Sequence, residues 1–389
     1  RPGVGSAQGC QRKPLPILER FVSCRITSIE LRQVTQPFWM RFRHNLADRS
    51  QNQSVICAVT TSDGTTGYGE ALPRPYVSGE TVGSCWSYLN NTAPQVLGLA
   101  LQRKETPHAF LRELYDQASQ TRQTVAFGAL DLALWDAWSQ VTRRSISAAL
   151  EWNTGSSRCS LNLGLGFPSL IQLPFARRLF RDQKVKTTAR GVVVPKGALP
   201  VTRLDGNRSF KQVEELFRAI PAKQLRLCQG LEEPFDPTTP DGFESYQVLR
   251  QHHVPTIADE SLVTKADASK LAEQKVFTHW NLRLGKVGGF TGFCELYRMA
   301  TKSGITVNLG VMVGESGILQ GAQKALVHPD KFAAIESSYS GLLLASDPFA
   351  LTQKDLPWQV TPSRTLGLGI SPHKKRLVRQ TSQSICHQP

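Results

Sequence analysis

The chain has 389 residues, 40% of them hydrophobic and 20% charged, with a formal net charge of +15. That balance belongs to a globular protein with enough chain for two domains, and no apolar run approaches the roughly 20 residues that cross a bilayer, so no membrane partner is expected. The basic residues are scattered apart from clusters near 177–196 and His373–Arg379, and no basic–aromatic interleaving accompanies them, which argues against a nucleic-acid partner.

Residues 1–23, opening on Arg1, carry charge without an apolar stretch and read as an N-terminal tail. Residues 24–34, 54–60 and 66–70 alternate as strands, the last two joined by the turn Ser62-Asp63-Gly64. The polar segment FRHNLADRSQNQ (42–53) reads as a long loop between the first two. VAFGALDLALWDAW (125–138) places Phe127, Leu130, Leu134 and Trp138 on one helical stripe. Residues 24–150 therefore read as an α+β domain. From residue 160 short apolar strands alternate with helical stretches. The strands are Leu161–Gly166, Leu199–Asp205, Gly230–Glu233, Thr256–Glu260, Trp280–Leu284, Thr306–Val311 and Ala333–Ser337; the helices include 209–219, with Ser209 as a possible cap, and 291–302. Strand–helix alternation at this spacing predicts parallel βαβ units, and seven or eight of them predict a closed barrel. The expected fold is α/β: a (β/α)7β-type TIM barrel over 151–371, an N-terminal α+β capping domain over 24–150, and a basic C-terminal tail over 372–389. The eight cysteines form no CxxC pair and sit near no histidine at zinc spacing, which fits reduced thiols in a cytoplasmic protein.

Three acidic stretches, TRLDGN, GLEEPF and IADES, each end an apolar strand. Asp205, Glu232 and Asp259 are separated by the length of one βα unit and fall at equivalent strand ends, which in a barrel share one mouth. Carboxylates brought together repel unless a cation joins them, and hard oxygen donors on stiff strands suit Mg2+. A helix N-cap is the ordinary role of one such acid; three in register favour a metal. The adjacent Glu233 and Glu260 alternate to the other face and read as structural.

RLDGNRSF, LEEPF, IADES and WNLRLGKVGG, in this order and spacing, resemble the metal-binding and lysine-bearing strands of the enolase superfamily, specifically the muconate-lactonizing and dipeptide-epimerase branch of the mandelate racemase/muconate lactonizing enzyme family. GYGEALPRPYVSGET (67–81) and PFWMRFRHNLADR (37–49) resemble the loops of the capping domain that close over the mouth. NLGVMVGESGIL (308–319), AIESSY (334–339) and GLGI (367–370) resemble the seventh and eighth strands and the return to the cap, so the likeness spans about 24–371. The resemblance implies a shared first step: a base removes the proton α to a carboxylate and one Mg2+ stabilises the enediolate. It also implies Asp205, Glu232 and Asp259 as ligands, Lys186 and Lys184 of a second-strand Lys-x-Lys as catalytic groups, and substrate contacts from Asn207, Glu315, Glu336, Arg43 and Tyr76.

Two departures shape the expected chemistry. The sixth-strand lysine of the relatives aligns with Arg283, which holds its charge and suits charge compensation rather than proton transfer, whether as a cation beside the enediolate or in an ion pair with a ligand acid. Lys286, three residues on, is expected to face away. Lys186 lies 19 residues before Asp205, short for a parallel crossover with a helix, so this unit is either rebuilt or degenerate; GVVVPK (191–196) would offer Lys196 instead. Near the eighth strand only Glu336 stands where the dipeptide epimerases carry an acidic pair, so a dipeptide substrate is not expected. The expected function is one-base isomerase, cycloisomerase or lyase chemistry on a small carboxylate. The alternatives are a catalytically impaired member that binds metal or carboxylate without turnover, and a racemase or epimerase with a different second base. A homo-oligomer stays open.

Overall fold

The computed structural model describes residues 24–44, 47–163, 179–188, 191–192, 203–220, 222–337 and 343–389. The tail at 1–23, Lys196 with most of the 177–196 basic cluster, residues 164–166 and 199–202 of expected strands, and residues 338–339 of the AIESSY motif lie outside them.

The cap is an antiparallel sheet of β1 (Cys24–His44), β2 (Ala47–Thr61) and β3 (Thr66–Ala71). Its alternating apolar residues, among them Ile29, Leu31, Val55, Cys57 and Val59, are buried under helices α1 (Val82–Thr92), α2 (Pro107–Gln120) and α3 (Thr124–Thr142). The expected loop at 42–53 is instead the tip of the β1–β2 hairpin, with Phe42 opposite Arg49 and Arg43 opposite Asp48. Backbone ladder bonds hold such an arm whatever its side chains, which is why hydropathy missed it. Helix α3 is buried nearly all round, because the sheet covers one side and the barrel helices the other. It lies on β3 so closely that a Cβ at Gly69 would meet the Ala129 carbonyl oxygen at 1.8 Å. Ala129, Ala133 and Ala137, one turn apart, give the matching flat stripe on the helix.

The second unit contains seven parallel strands in sequence order: β4 (Leu161–Leu163), β5 (Gln183–Thr188), β6 (Arg203–Asp205), β7 (Gly230–Glu232), β8 (Thr256–Ala258), β9 (His279–Arg283) and β10 (Thr306–Gly310). Parallel bridges Leu309–Ile335 and Ser160–Glu336 supply the eighth position and close the ring. The predicted barrel is therefore present. Helices α4 (Val213–Ala219), α5 (Pro240–Gln251), α6 (Lys265–Gln274), α7 (Gly289–Lys302) and α8 (Gly317–Lys324) follow strands. Ser209 does not cap α4: its hydroxyl donates to the Thr187 carbonyl at 3.2 Å, and the helix starts four residues later.

Residues expected as a basic tail from 372 are ordered into α9 (Lys374–Gln380) and β11 (Thr381–His387), which pairs antiparallel with β1 from Ile29–His387 to Val34–Thr381. Only Leu377 is buried there; the attachment is made by backbone bonds to a sheet edge, which leave no hydropathy signature.

Cap and barrel meet through polar anchors. Asp131 of α3 accepts from the amides of Phe290 (2.7 Å) and Thr291 at the start of α7. Glu70 of β3 accepts from the Ser316 amide and hydroxyl, Arg74 donates to the Val313 carbonyl, and Asn52 donates to the Gly314 carbonyl. Three cap residues thus grip the loop that leaves the seventh barrel strand.

Candidate active site at the barrel mouth

Strand alternation sets the site. Val185, Leu204, Leu231, Ala258 and Leu282 pack outward into the apolar core, so their neighbours point into the barrel. Asp205 and Glu232 stand opposite one another in register, and Lys186 stands opposite Asp205. Glu232 stands opposite Ile257, and Asp259 follows two residues on, just past the end of that strand. All three acids are buried.

Their six oxygens are all engaged. The Lys184 ammonium lies 2.9 and 3.1 Å from the two Glu232 oxygens, 2.6 Å from Glu336 Oε1 and 3.5 Å from Asp205 Oδ2. Lys186 donates to Asp205 Oδ2 at 2.5 Å and to Asn207 Oδ1, while the Asn207 amide donates to Asp205 Oδ1. Asn281 Nδ2 donates to Glu232 Oε1 at 3.2 Å. Arg283 Nη2 donates to Asp259 Oδ2 and lies 3.5 Å from Glu232 Oε1. Lys286 donates to Asp259 Oδ1 (2.8 Å), the Asp259 carbonyl (2.6 Å) and the Asn281 carbonyl. Below this layer Arg203 reaches Glu336 at 3.2 Å and Asp182 at 3.4 Å.

The electrostatics follow the pairing. Burial works against the charge on Asp259, but Arg283 and Lys286 outweigh it and hold the carboxyl well below its ordinary value. Asp205 is lowered against burial by Lys186 and Lys184, and Glu336 is lowered to about 2 by Lys184, Arg203 and Arg283. Glu232 sits among three other carboxylates; burial and those neighbours push it up to about 8 against the pull of Lys184. Burial lowers Lys184 and Arg283, yet the surrounding acids raise both above their ordinary values, so both stay cationic.

The structure brings together Lys184, Lys186, Arg283, Asp205, Glu232, Asp259, Asn207 and Glu336. Glu336 is buried between Lys184 and Arg203, inside the barrel. Glu315 is buried beside the seventh strand, accepting from the Met312 amide at 2.6 Å, and burial pushes it up to about 8. Tyr76 receives Arg49 within the cap, its ring under that guanidinium. Arg43 lies on β1; its side chain falls outside the described residues.

Lys286 overturns the expectation that it faces away. A single helical turn, Leu284–Val287, follows the sixth strand and folds it back under Asp259, completely buried. Arg203, Asp182 and Asn281 were also missed, although each stands two residues before a recognised residue on the same strand face. Glu233 receives Arg208 at 2.9 Å and the Asp259 amide at 2.9 Å. Glu260 receives Asn207 Nδ2 at 2.8 Å.

The donor chemistry at Asp205, Glu232 and Asp259 fits a hard divalent ion: three buried carboxylates at successive strand ends. Their arrangement is committed to side-chain cations, and among the described residues no three acidic, histidine or cysteine side chains enclose a metal position.

Residues 28–150 match the family described as mandelate racemase / muconate lactonizing enzyme, N-terminal domain, and residues 181–376 match the enolase C-terminal domain-like family. The chain is 24% identical over 304 residues to the L-Ala-D/L-Glu epimerase of Bacillus subtilis, covering 74% of this chain and 81% of the relative. Among solved structures, N-succinyl Arg/Lys racemase from Bacillus cereus superposes with a TM-score of 0.79 at 20% identity, covering 94% of this chain and all of that one. A dipeptide epimerase from Cytophaga hutchinsonii, complexed with Mg and D-Ala-L-Val, superposes with a TM-score of 0.74 at 21% identity, over 93% and 99% of the two chains.

Proposed function

Since this chain belongs to the mandelate racemase / muconate lactonizing enzyme family of the enolase superfamily, we propose that it abstracts the proton α to a carboxylate with a single base, as an isomerase, cycloisomerase or lyase. Its relatives are enzymes named as racemases, epimerases and a synthase. Asp205, Glu232 and Asp259 would hold one Mg2+, whose charge stabilises the enediolate that proton loss creates.

The observation that carries the one-base reading is the asymmetry of the cations around the three acids. Lys186 stands on the second strand and Arg283 on the sixth, each paired with a ligand carboxylate. An amine can give up a proton and return it, whereas a guanidinium cannot do so near neutral pH. Lys186 is also the most accessible cation of the cluster, its side chain 20% exposed against 12% for Arg283 and 6% for Lys184. Lys186 therefore acts as base, and Arg283 compensates charge on the opposite side. Lys184 and Glu336 hold the cluster's charges in place below. Glu336 is tied to Lys184 and Arg203, so it does not serve as the partner of a substrate ammonium, and a dipeptide is disfavoured as substrate.

The test is proton exchange. The purified protein, incubated with Mg2+ and a library of small carboxylates in D2O, is expected to wash deuterium into the α-position of at least one compound by NMR, and Lys186→Ala is expected to lose this by about 100-fold or more. Absence of exchange from every compound would sink the reading and leave the impaired-member alternative.

A further inference from the structure

Building on that ligand assignment, we propose that metal and substrate carboxylate bind this site as a coupled pair, with Arg283 as the group that exchanges between the ligand acids and the substrate. Four carboxylates, Asp205, Glu232, Asp259 and Glu336, face four cations, Lys184, Lys186, Arg283 and Lys286, and Arg203 with Asp182 extends the network of ion pairs below Glu336. Residue for residue, the barrel interior therefore matches its acids with cations of its own. A divalent ion entering alone would add two uncompensated charges to a buried, balanced cluster and would compete with cations already on the ligand oxygens. The same ion entering with an anionic substrate restores the balance.

Arg283 is built to make that exchange. It holds both Asp259 and Glu232 through one nitrogen, Nη2. Its Nη1 meets only the Met312 sulfur, at 3.7 Å, and its buried Nε has no hydrogen-bond partner among the described residues. A guanidinium pairs with a carboxylate along an edge that includes Nη2, so a substrate carboxylate taking the Nη1–Nη2 edge competes directly for the nitrogen that holds both ligand acids. When that edge takes the substrate carboxylate, the hold on Asp259 and Glu232 loosens and their oxygens become available. Lys286 does not exchange in this way, because two backbone carbonyls fix it beneath Asp259. Lys184 is enclosed by three acids. By linkage, a carboxylate that raises affinity for the metal has its own affinity raised by the same factor.

The experiment is calorimetric titration of Mg2+ into the full-length protein, with and without succinate as a probe dicarboxylate, for wild type, Arg283→Met and Arg283→Lys. Wild type is expected to gain about tenfold or more in Mg2+ affinity with succinate present. Arg283→Met is expected to bind Mg2+ alone at least tenfold more tightly than wild type alone, and Arg283→Lys, which keeps the charge but not the planar edge, to bind Mg2+ alone as wild type does and to lose most of the gain with succinate. An Arg283→Met protein that melts cooperatively yet binds Mg2+ no more tightly than wild type overturns the coupling, and leaves the ligands intact provided Glu232→Gln abolishes binding. If Glu232→Gln binds Mg2+ as wild type does, the ligand assignment itself fails, and the coupling with it.

Discussion

The protein buries carboxylates in two places and answers them in two ways. Within the cap, Glu80 accepts from the Val125 and Ala126 amides that open α3; at the cap–barrel interface, Asp131 accepts from the amides that open α7, Asp136 from those of Tyr68 and Leu368, and Glu70 from Ser316. Their anchors are backbone N–H groups and hydroxyls; burial dominates, pushing Glu70, Glu80 and Asp131 up to about 7 and Asp136 up to about 6. Inside the barrel, Asp205, Asp259 and Glu336 are equally buried, but full cations answer them and hold them below their ordinary values, while burial and the crowding of those three acids push Glu232 up to about 8 despite Lys184. Neutral dipoles suffice to fasten two units together. Only charged partners keep a buried acid ionised near neutral pH, and an ionised acid is what a metal or an exchangeable cation needs.

The sharpest way to break this comparison is to remove a cation from the barrel. Lys184→Met leaves Glu232, Glu336 and Asp205 short of a partner, and should cost about 3–5 kcal/mol by denaturant unfolding. A loss under about 1 kcal/mol would mean that the network is not what stabilises the interior.

The cap side gives a smaller, pH-dependent effect. A carboxyl whose folded value is raised binds its proton more tightly in the fold, so its contribution is complete below the unfolded value near 4 and is lost as pH rises through about 7. The lowered barrel acids run the other way: their contribution is present above about pH 4 and is lost on acidification. Between pH 5 and 8 the barrel acids held low are already ionised in both states. Glu80→Gln should then lower stability by roughly 1–2 kcal/mol at pH 5 and flatten the fall in melting temperature between pH 5 and 8. An unchanged slope would place Glu80 among the acids held ionised.

The same contrast explains what could be read in advance. The barrel was legible because buried parallel strands alternate with helices at a fixed spacing, and the three acids were legible because each ends such a strand. What escaped was set by backbone pairing or by distance along a strand. The β1–β2 hairpin tip is held by ladder bonds, and β11 sets its own largely exposed residues against β1 by the same backbone pairing, which hydropathy does not see. Arg203, Asp182 and Asn281 were within reach, since residues two apart on a strand share a face. Lys286 was not, because a helical turn after the strand reverses the face that simple alternation assigns. The second-strand unit, which looked too short, still pairs Lys186 directly with Asp205 in a parallel ladder.

The central claim is that this site moves a proton from one side only, because Lys186 can act as a base and Arg283 cannot. Solvent-deuterium exchange followed separately on the two enantiomers of a turned-over carboxylate tests it most directly. The account predicts that, with Mg2+ present, one enantiomer exchanges its α-proton and the other does not. Exchange of both enantiomers, with their interconversion, would contradict it and establish a second base opposite Lys186.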